Sequence, residues 1–281
     1  MKENILTSSM LEAFRHHLIE QEHSPHTIEK YIRDIRSFYQ FLPQEKNVSK
    51  EQVIAYKSEL TGRYKTTSVN SMLTAVNQLL AFLDWRDCQV RLLKVQRTNF
   101  RVEEKELSRE EYQKLLRTAQ PGNERLWLLM QAICSTGIRV SEHQFITVEA
   151  VQQGQVRIRN KGRERLVFIP ETLKKPLLKY CRRHQIQSGA IFITRTGKPM
   201  NRSNIWSAMK KLCRAAGVDQ RKVFPHNLRH LFALTYYRME KDIVRLADVL
   251  GHTSVETTRI YTATSGQEQR RLISRLGLTS A

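Results

Sequence analysis

The sequence predicts a mainly α-helical protein of two domains, a four-helix bundle followed by an α+β domain that is largely helical and carries a small β-meander. Three observations predict it. Apolar residues recur at helical spacing through the N-terminal third, that periodicity fades between Lys94 and Glu106, and beyond Ser108 helical patterns alternate with short strand-like runs. At 281 residues the chain can give each domain its own buried core.

The elements follow in order. Ser8 or Ser9 caps a first helix with Leu11, Phe14, Leu18 and Ile19 on one face. Ser24-Pro25 restarts the chain, with proline at a favourable first-turn position, and Ile28, Ile32, Ile35 and Phe38 mark a second stripe. Ser49-x-x-Gln52 resembles a capping box for a third helix, and a fourth spans Thr67 to Leu83. Residues 1–93 therefore form one helical domain, 94–107 an extended linker, and 108–281 the second domain. Ser108-x-x-Glu111 opens that domain as another capping box, with helices over 108–119 and 123–135. A meander of Val156–Arg159, Leu166–Ile169 and Ala190–Ile193 follows, its first turn at Asn160-Lys161-Gly162 and a helix at 171–186 before its last strand. Ser203 caps the next helix and Gly217 ends it. Asp242–Leu250 is a helix stopped by Gly251, and Thr253-x-x-Glu256 caps the one after.

Charge narrows the partner. Residues 1–107 hold 16 Lys/Arg and 14 Asp/Glu, whereas residues 108–281 hold 31 and 13, so the net charge of +20 sits almost wholly in the second domain. A polyanion, most simply nucleic acid, fits such a surface. No run of eighteen apolar residues and no apolar stretch after MKENILTSS points to a membrane or an export signal, so a cytoplasmic, nucleoid-associated protein is expected. Cys88, Cys134, Cys181 and Cys213 lack zinc-site spacing and read as reduced core thiols; no metal, ATP or other cofactor is expected.

Five short elements in the basic domain carry chemistry. In Thr136-Gly137-Ile138-Arg139-Val140-Ser141-Glu142 the glycine breaks a helix and leaves Arg139 at a turn. Lys161 lies at the tip of a hairpin. In His226-Asn227-Leu228-Arg229-His230 the spacing places His226, Arg229 and His230 on one helical face. His252 follows Gly251 at a corner, and Tyr261 comes nine residues later. Each alone has an ordinary structural explanation: a surface arginine, a solvated lysine, packed histidines, a core tyrosine. The weight lies in their order.

In order, type and spacing these elements resemble the successive boxes of the tyrosine recombinase, or phage integrase, family, and the helical N-terminal domain resembles its SAM-like core-binding domain. The resemblance implies that Arg139 and Arg229 hold a scissile phosphate, that Lys161, His226 and His252 complete the catalytic set, and that Tyr261 is the nucleophile. Departures are small. Asn227 stands where the family often has Asp, His143 where an apolar residue is common, and Phe232 and Leu234 where small or hydroxyl residues are common.

This chemistry suits these residue types. Negative charge grows on the non-bridging oxygens as a phosphodiester is attacked, and two guanidinium forks answer it well. A phenol of ordinary pKa about 10 needs help to ionise, which nearby cations supply and His226 or His252 assist. Lys161 protonates the leaving 5′-oxygen. The expected function is a site-specific recombinase acting through a 3′-phosphotyrosyl intermediate and a Holliday junction, with mobile-element integration or excision favoured over chromosome-dimer resolution. The expected partner is double-stranded DNA with inverted-repeat core sites, clamped between the two domains by a chain that is monomeric when free. The resemblance implies four chains assembled on DNA and linked by the C-terminal tail, whose Leu272, Ile273 and Leu276 have packing on their own domain as the alternative, with accessory recombination proteins as further candidate partners. Ser203–Lys211 and Thr66–Asn77 are the candidate base-reading segments. The alternatives are a type IB topoisomerase-like nicking and closing enzyme, and a non-catalytic DNA-binding regulator of the same fold.

Overall fold

The structure is a computed structural model that describes residues 4–95, 106–160, 163–262 and 266–276. The chain divides into two compact units, Met1–Arg97 and Thr98–Ala281. Most of the expected linker at 94–107 lies outside the described residues, as does Lys161.

The first unit packs α1 (Ser8–Glu20), α2 (Pro25–Phe41), α3 (Lys50–Arg63) and α4 (Thr66–Phe82) around one core that includes Phe14, Ile35, Phe38, Tyr56, Leu73 and Leu79. The caps follow local chemistry. Thr7, one residue before the expected serines, caps α1, while Ser24 and Ser49 cap α2 and α3 by accepting from Thr27 and Gln52 backbone amides. Beyond α4, two asparagine amides take the place of a strand partner. Asn70 donates to Leu93 O and accepts from Leu93 N, and Asn77 does the same with Val90. Each amide thus spends one donor and one acceptor on its own chain.

The second unit begins at α5 (Arg109–Gly122), whose Ser108–Glu111 capping box is formed in both directions. Next comes α6 (Glu124–Thr136), apolar on nearly every side and buried at Leu126, Leu128, Leu129, Met130, Ala132 and Ile133. It is the central rod. A 3-10 helix (Val140–Phe145) and α7 (Val148–Gln153) lead to β1 (Gln155–Asn160) and β2 (Arg163–Phe168), which pair antiparallel from Gln155↔Phe168 to Asn160↔Arg163. Then follow α8 (Glu171–Arg183), α9 (Arg202–Ala216), α10 (Pro225–Glu240), α11 (Ile243–Leu250), α12 (Val255–Thr258), a 3-10 turn at Arg259–Tyr261, and α13 (Gly266–Ser274).

Four expectations change. Ala190–Ile193 is not a third strand: Gly189 and Ile191 bond instead to Val148 N and Ile146 O, which leaves isolated bridges and a two-stranded sheet. Asn201, not Ser203, caps α9, and Ser254, not Thr253, caps α12. In each case the side chain at the true boundary reaches the second or third amide of the helix. Tyr261 does not ride on a continuous last helix, because α12 stops at Thr258 and the chain tightens to 3-10 geometry before the tyrosine. In the tail, Ile273 and Leu276 are exposed, and the Leu272 side chain lies outside the description.

Gly137 and Gly251 end α6 and α11 in the left-handed region, at φ 67° and 63°. At Gly137 the demand is double, since an added Cβ would fall 2.4 Å from the Phe232 ring. Phe232, large where the family is often small, is thus matched by a missing side chain. Gly217 ends α9 at φ 63° in open space. Gly217→Ala should cost about 1 kcal/mol, the left-handed strain alone. Gly137→Ala should cost about 2–4 kcal/mol, strain plus overpacking, in urea unfolding of the two variants. Equal losses would show that the Phe232 contact yields freely.

Candidate active site

The site forms where two helices end. Carbonyl oxygens at a helix C-terminus lack amide partners and carry the negative end of the helix dipole. Arg229, on α10 and 2% exposed, donates Nη1 to Gly137 O at 2.6 Å and Nη2 to Leu250 O at 2.7 Å. One guanidinium therefore joins the ends of α6 and α11. Burial pushes its pKa down to about 10, with Arg139 adding to the shift, so it stays charged at neutral pH. Arg139, two residues past the Gly137 that ends α6, donates Nη2 to Gly251 O at 3.2 Å. Both arginines meet at the Leu250–Gly251 corner, and Arg139 remains more than a third exposed.

The carboxylate that organises them was not singled out in the sequence. Glu142, 2% exposed, accepts from the Arg139 backbone amide at 2.7 Å and from Arg139 Nη1 at 3.0 Å. It also takes a paired contact from Arg165 of β2, Nη1 at 3.0 Å and Nη2 at 2.6 Å. Burial raises its pKa, but the Arg165 hydrogen bond, the Arg139 amide and the charge of Arg165 outweigh that and hold it below the ordinary glutamate value. Arg165 lies over Gly251, where a Cβ would come within 2.8 Å of its side chain. It fastens the hairpin strand to the corner, four residues from Lys161. The signal in the sequence was the three-residue spacing of Arg139 and Glu142; nothing local announced Arg165.

His252 turns the same corner. Its Nε2 lies 3.0 Å from Arg229 Nη2, which can only donate, so Nε2 accepts; Nδ1 then carries the proton and donates to the buried Thr258 Oγ1 at 2.8 Å. Burial, with Arg229, Arg139 and Arg165, pushes its pKa down to about 4, so the ring is neutral near pH 7. His226 sits exposed at the start of α10, and its pKa is also lowered, by desolvation and then by Arg229, His230, Arg202 and Arg139.

Tyr261 is 3% exposed and joins Ala233, Leu234, Leu246 and Leu250 in a small cluster apart from the main core. Its ring centre lies 4.9 Å from that of His230, whose Nε2 is 3.2 Å from Glu106 Oε1. Here the expected pKa direction reverses. Desolvation raises the phenol pKa and exceeds the lowering by Arg229 and Arg139, so burial outweighs the nearby cations in this state.

The departures also find places. His143 is buried and stacks on Phe192 with rings 5° from parallel, occupying an apolar position as a neutral ring, its pKa held down by burial. Asn227 donates Nδ2 to Lys222 O at 2.8 Å, anchoring the start of α10. Thus Arg139, Arg229 and His252 are joined by direct or shared contacts, Tyr261 and His226 flank them, and Lys161 lies outside the described residues. Among the described residues, no group of three His, Cys, Asp or Glu side chains could hold a metal ion, and no helix is long and apolar enough to cross a membrane.

Comparison with known proteins agrees in both units. Residues 105–268 match the phage integrase family, and residues 11–87 match the phage integrase N-terminal SAM-like domain. The chain is 27% identical over 288 residues to tyrosine recombinase XerA of Pyrococcus furiosus, covering 99% of this chain and 97% of that protein. It is 29% identical over 281 residues to tyrosine recombinase XerC of Roseiflexus castenholzii, covering 91% and 88%. Among solved structures, XerA recombinase matches at TM-score 0.54 and 25% identity over 98% of this chain and 100% of that one. A lambda integrase dimer bound to a COC′ core site matches in fold at TM-score 0.73 and 17% identity, covering 91% and 94%.

Glu142→Gln would leave two guanidinium groups without their buried counter-charge and should cost about 3 kcal/mol in urea unfolding at pH 7. Because the folded pKa is depressed, this contribution is complete above the unfolded glutamate value of about 4.3 and is lost as pH falls through the folded value. The difference between wild type and Glu142→Gln should therefore shrink below about pH 4. A difference constant from pH 7 to pH 3 would contradict the charge account.

Proposed function

The chain belongs to the phage integrase family, and from that premise we propose that it is a site-specific DNA recombinase that cuts and rejoins strands through a covalent bond to Tyr261. The observation that carries the reading is the convergence of Arg139 and Arg229 on one corner, with Glu142 as the only carboxylate bonded to Arg139 among the described residues, and Tyr261 within their electrostatic reach. Arg165 is the second cation on that carboxylate and the third guanidinium of the site. Three guanidinium charges against one carboxylate leave a site that a phosphate diester completes.

In the proposed reaction the Tyr261 oxygen attacks phosphorus, forming the phosphotyrosyl bond as the bond to the 5′-oxygen breaks. Arg139 and Arg229 stabilise the charge that grows on the non-bridging oxygens. His226, exposed and neutral, takes the phenolic proton, and Lys161 gives one to the leaving oxygen. The ester keeps the energy of the broken bond, so attack by a second strand's 5′-hydroxyl rejoins the backbone. Tyr261 must first leave its apolar cluster. On DNA the phosphate would also offset the cations, so presentation of the phenol, rather than a standing low pKa, starts the reaction.

The proposal extends to four protomers exchanging strands through a Holliday junction on paired core sites, as expected from the sequence. That a lambda integrase tetramer has been solved on a Holliday junction supports this part of the reading. The mobile-element role favoured from the sequence is read by sequencing DNA trapped on Tyr261: fragments from element ends support it, and a single chromosomal site replaces it with chromosome-dimer resolution.

On a nicked duplex that carries the target site, the wild-type chain should form an adduct stable to SDS, and Tyr261→Phe should form none while binding within about twofold, since the ring is kept. An adduct on the Phe variant would assign the nucleophile elsewhere. Binding by the wild type with no adduct would favour the non-catalytic regulator.

A further inference from the structure

The stripe on α9 has no role in the chemistry above. Arg202, Trp206 and Lys210 follow at four-residue intervals, while Ile205, Met209 and Cys213 bury the other side of the helix against the core. Trp206 is 50% exposed, and its indole is touched by the Lys210 ammonium 5.1 Å from the ring centre. A single open ring is ordinary on a protein surface, and a partner is marked only by what surrounds it. The charge around it says which kind. The helix carries Arg202, Lys210, Lys211 and Arg214 and no acidic residue. Its first residue, Arg202, lies near enough to His226 to depress that imidazole's pKa. The stripe therefore begins at a residue whose charge reaches a candidate catalytic histidine.

Ser203, three residues before Trp206 and so on its side of the helix, is exposed and short enough to reach a base edge where the basic residues reach phosphates. An indole has no acceptor and only one N–H donor, so most of what it offers a base is apolar. Its flat apolar face suits the one apolar mark on a major-groove base edge, the C5-methyl group of thymine.

Resting on the recombinase reading above, we propose that Trp206 is a specificity-determining residue, its indole packing on thymine methyl groups in the major groove while Arg202 and Lys210 hold the flanking phosphates. Trp206 then selects where the enzyme sits, and the Arg139–Arg229 corner does the cutting.

The test begins with a random-sequence duplex pool from which the full-length chain selects its preferred half-site. Each thymine of that half-site is replaced in turn by deoxyuridine, which keeps base pairing and removes only the methyl. Wild type should lose about fourfold in affinity at one or two positions. Trp206→Ala should lose that affinity on the thymine duplex and become indifferent to the replacement at those positions, whereas Trp206→Phe should keep the sensitivity. The proposal is overturned if no thymine carries a penalty, if Trp206→Ala shows the same penalty as wild type, or if the pool yields no preferred sequence. It is equally overturned if Trp206→Ala changes only self-association, which would make the indole a protein contact. Adduct formation by the wild-type chain on the same duplex, nicked, is the separate readout. Adduct without coupling to the methyl sinks only this inference, and coupling without adduct sinks only the recombinase reading.

Discussion

The second unit depends on one buried guanidinium. Arg229 bonds the carbonyls that end α6 and α11, two helices whose termini would otherwise point unpaired acceptors at the same space. Charge-assisted hydrogen bonds of this kind contribute about 1.5–3 kcal/mol each. Losing them would orphan two carbonyls as well. Both helices stop at a left-handed glycine, Gly137 and Gly251, which brings the carbonyls close and frees the chain to turn at once into Arg139 and His252. Arg139 and His252 thus follow within two residues of the glycines that close two helices, held by the residue that bonds those ends.

That arrangement explains the electrostatics without further parts. Helix-end carbonyls satisfy hydrogen bonds but bring only partial charge, so the arginines stay nearly unneutralised. Among the described residues Glu142 is the carboxylate bonded to them, and it is shared between Arg139 and Arg165. Burial, with the excess cation, keeps His252 neutral, Arg229 fixes its tautomer, and the buried Tyr261 phenol sits in an apolar satellite where desolvation dominates. On the proposed reading, phosphate binding and a resting Tyr261 would share one cause, a cationic corner beside a small apolar cluster.

The sequence made much of this legible, and physics accounts for the remainder. Helix ends were readable because capping acts over three or four residues: Ser24, Ser49 and the Ser108–Glu111 box mark their helices as expected. Asn201 and Ser254 were missed because neighbouring polar residues offered equally good local caps. Ala190–Ile193 has strand-like residues, yet its pairing is decided by the long-range bonds of Gly189 and Ile191 with the chain before and at the start of α7, which no local pattern encodes. The order of Arg139, His226, Arg229, His252 and Tyr261 was visible. What was hidden is how Arg165 reaches Glu142 across 23 residues, and that burial rather than neighbouring charge governs the Tyr261 phenol.

The central claim is that the corner works by opposing phosphate charge. Arg139, partly exposed and less enclosed than Arg229, is the residue on which to test it. The measurement is the rate of adduct formation by Arg139→Ala on two duplexes, one with an ordinary scissile phosphate and one with an uncharged methylphosphonate there. The account predicts a loss of about 100-fold or more on the ordinary duplex and recovery of most of it on the neutral one. An Arg139→Ala variant equally impaired on both would contradict it, because the guanidinium would then be acting through shape and not through charge.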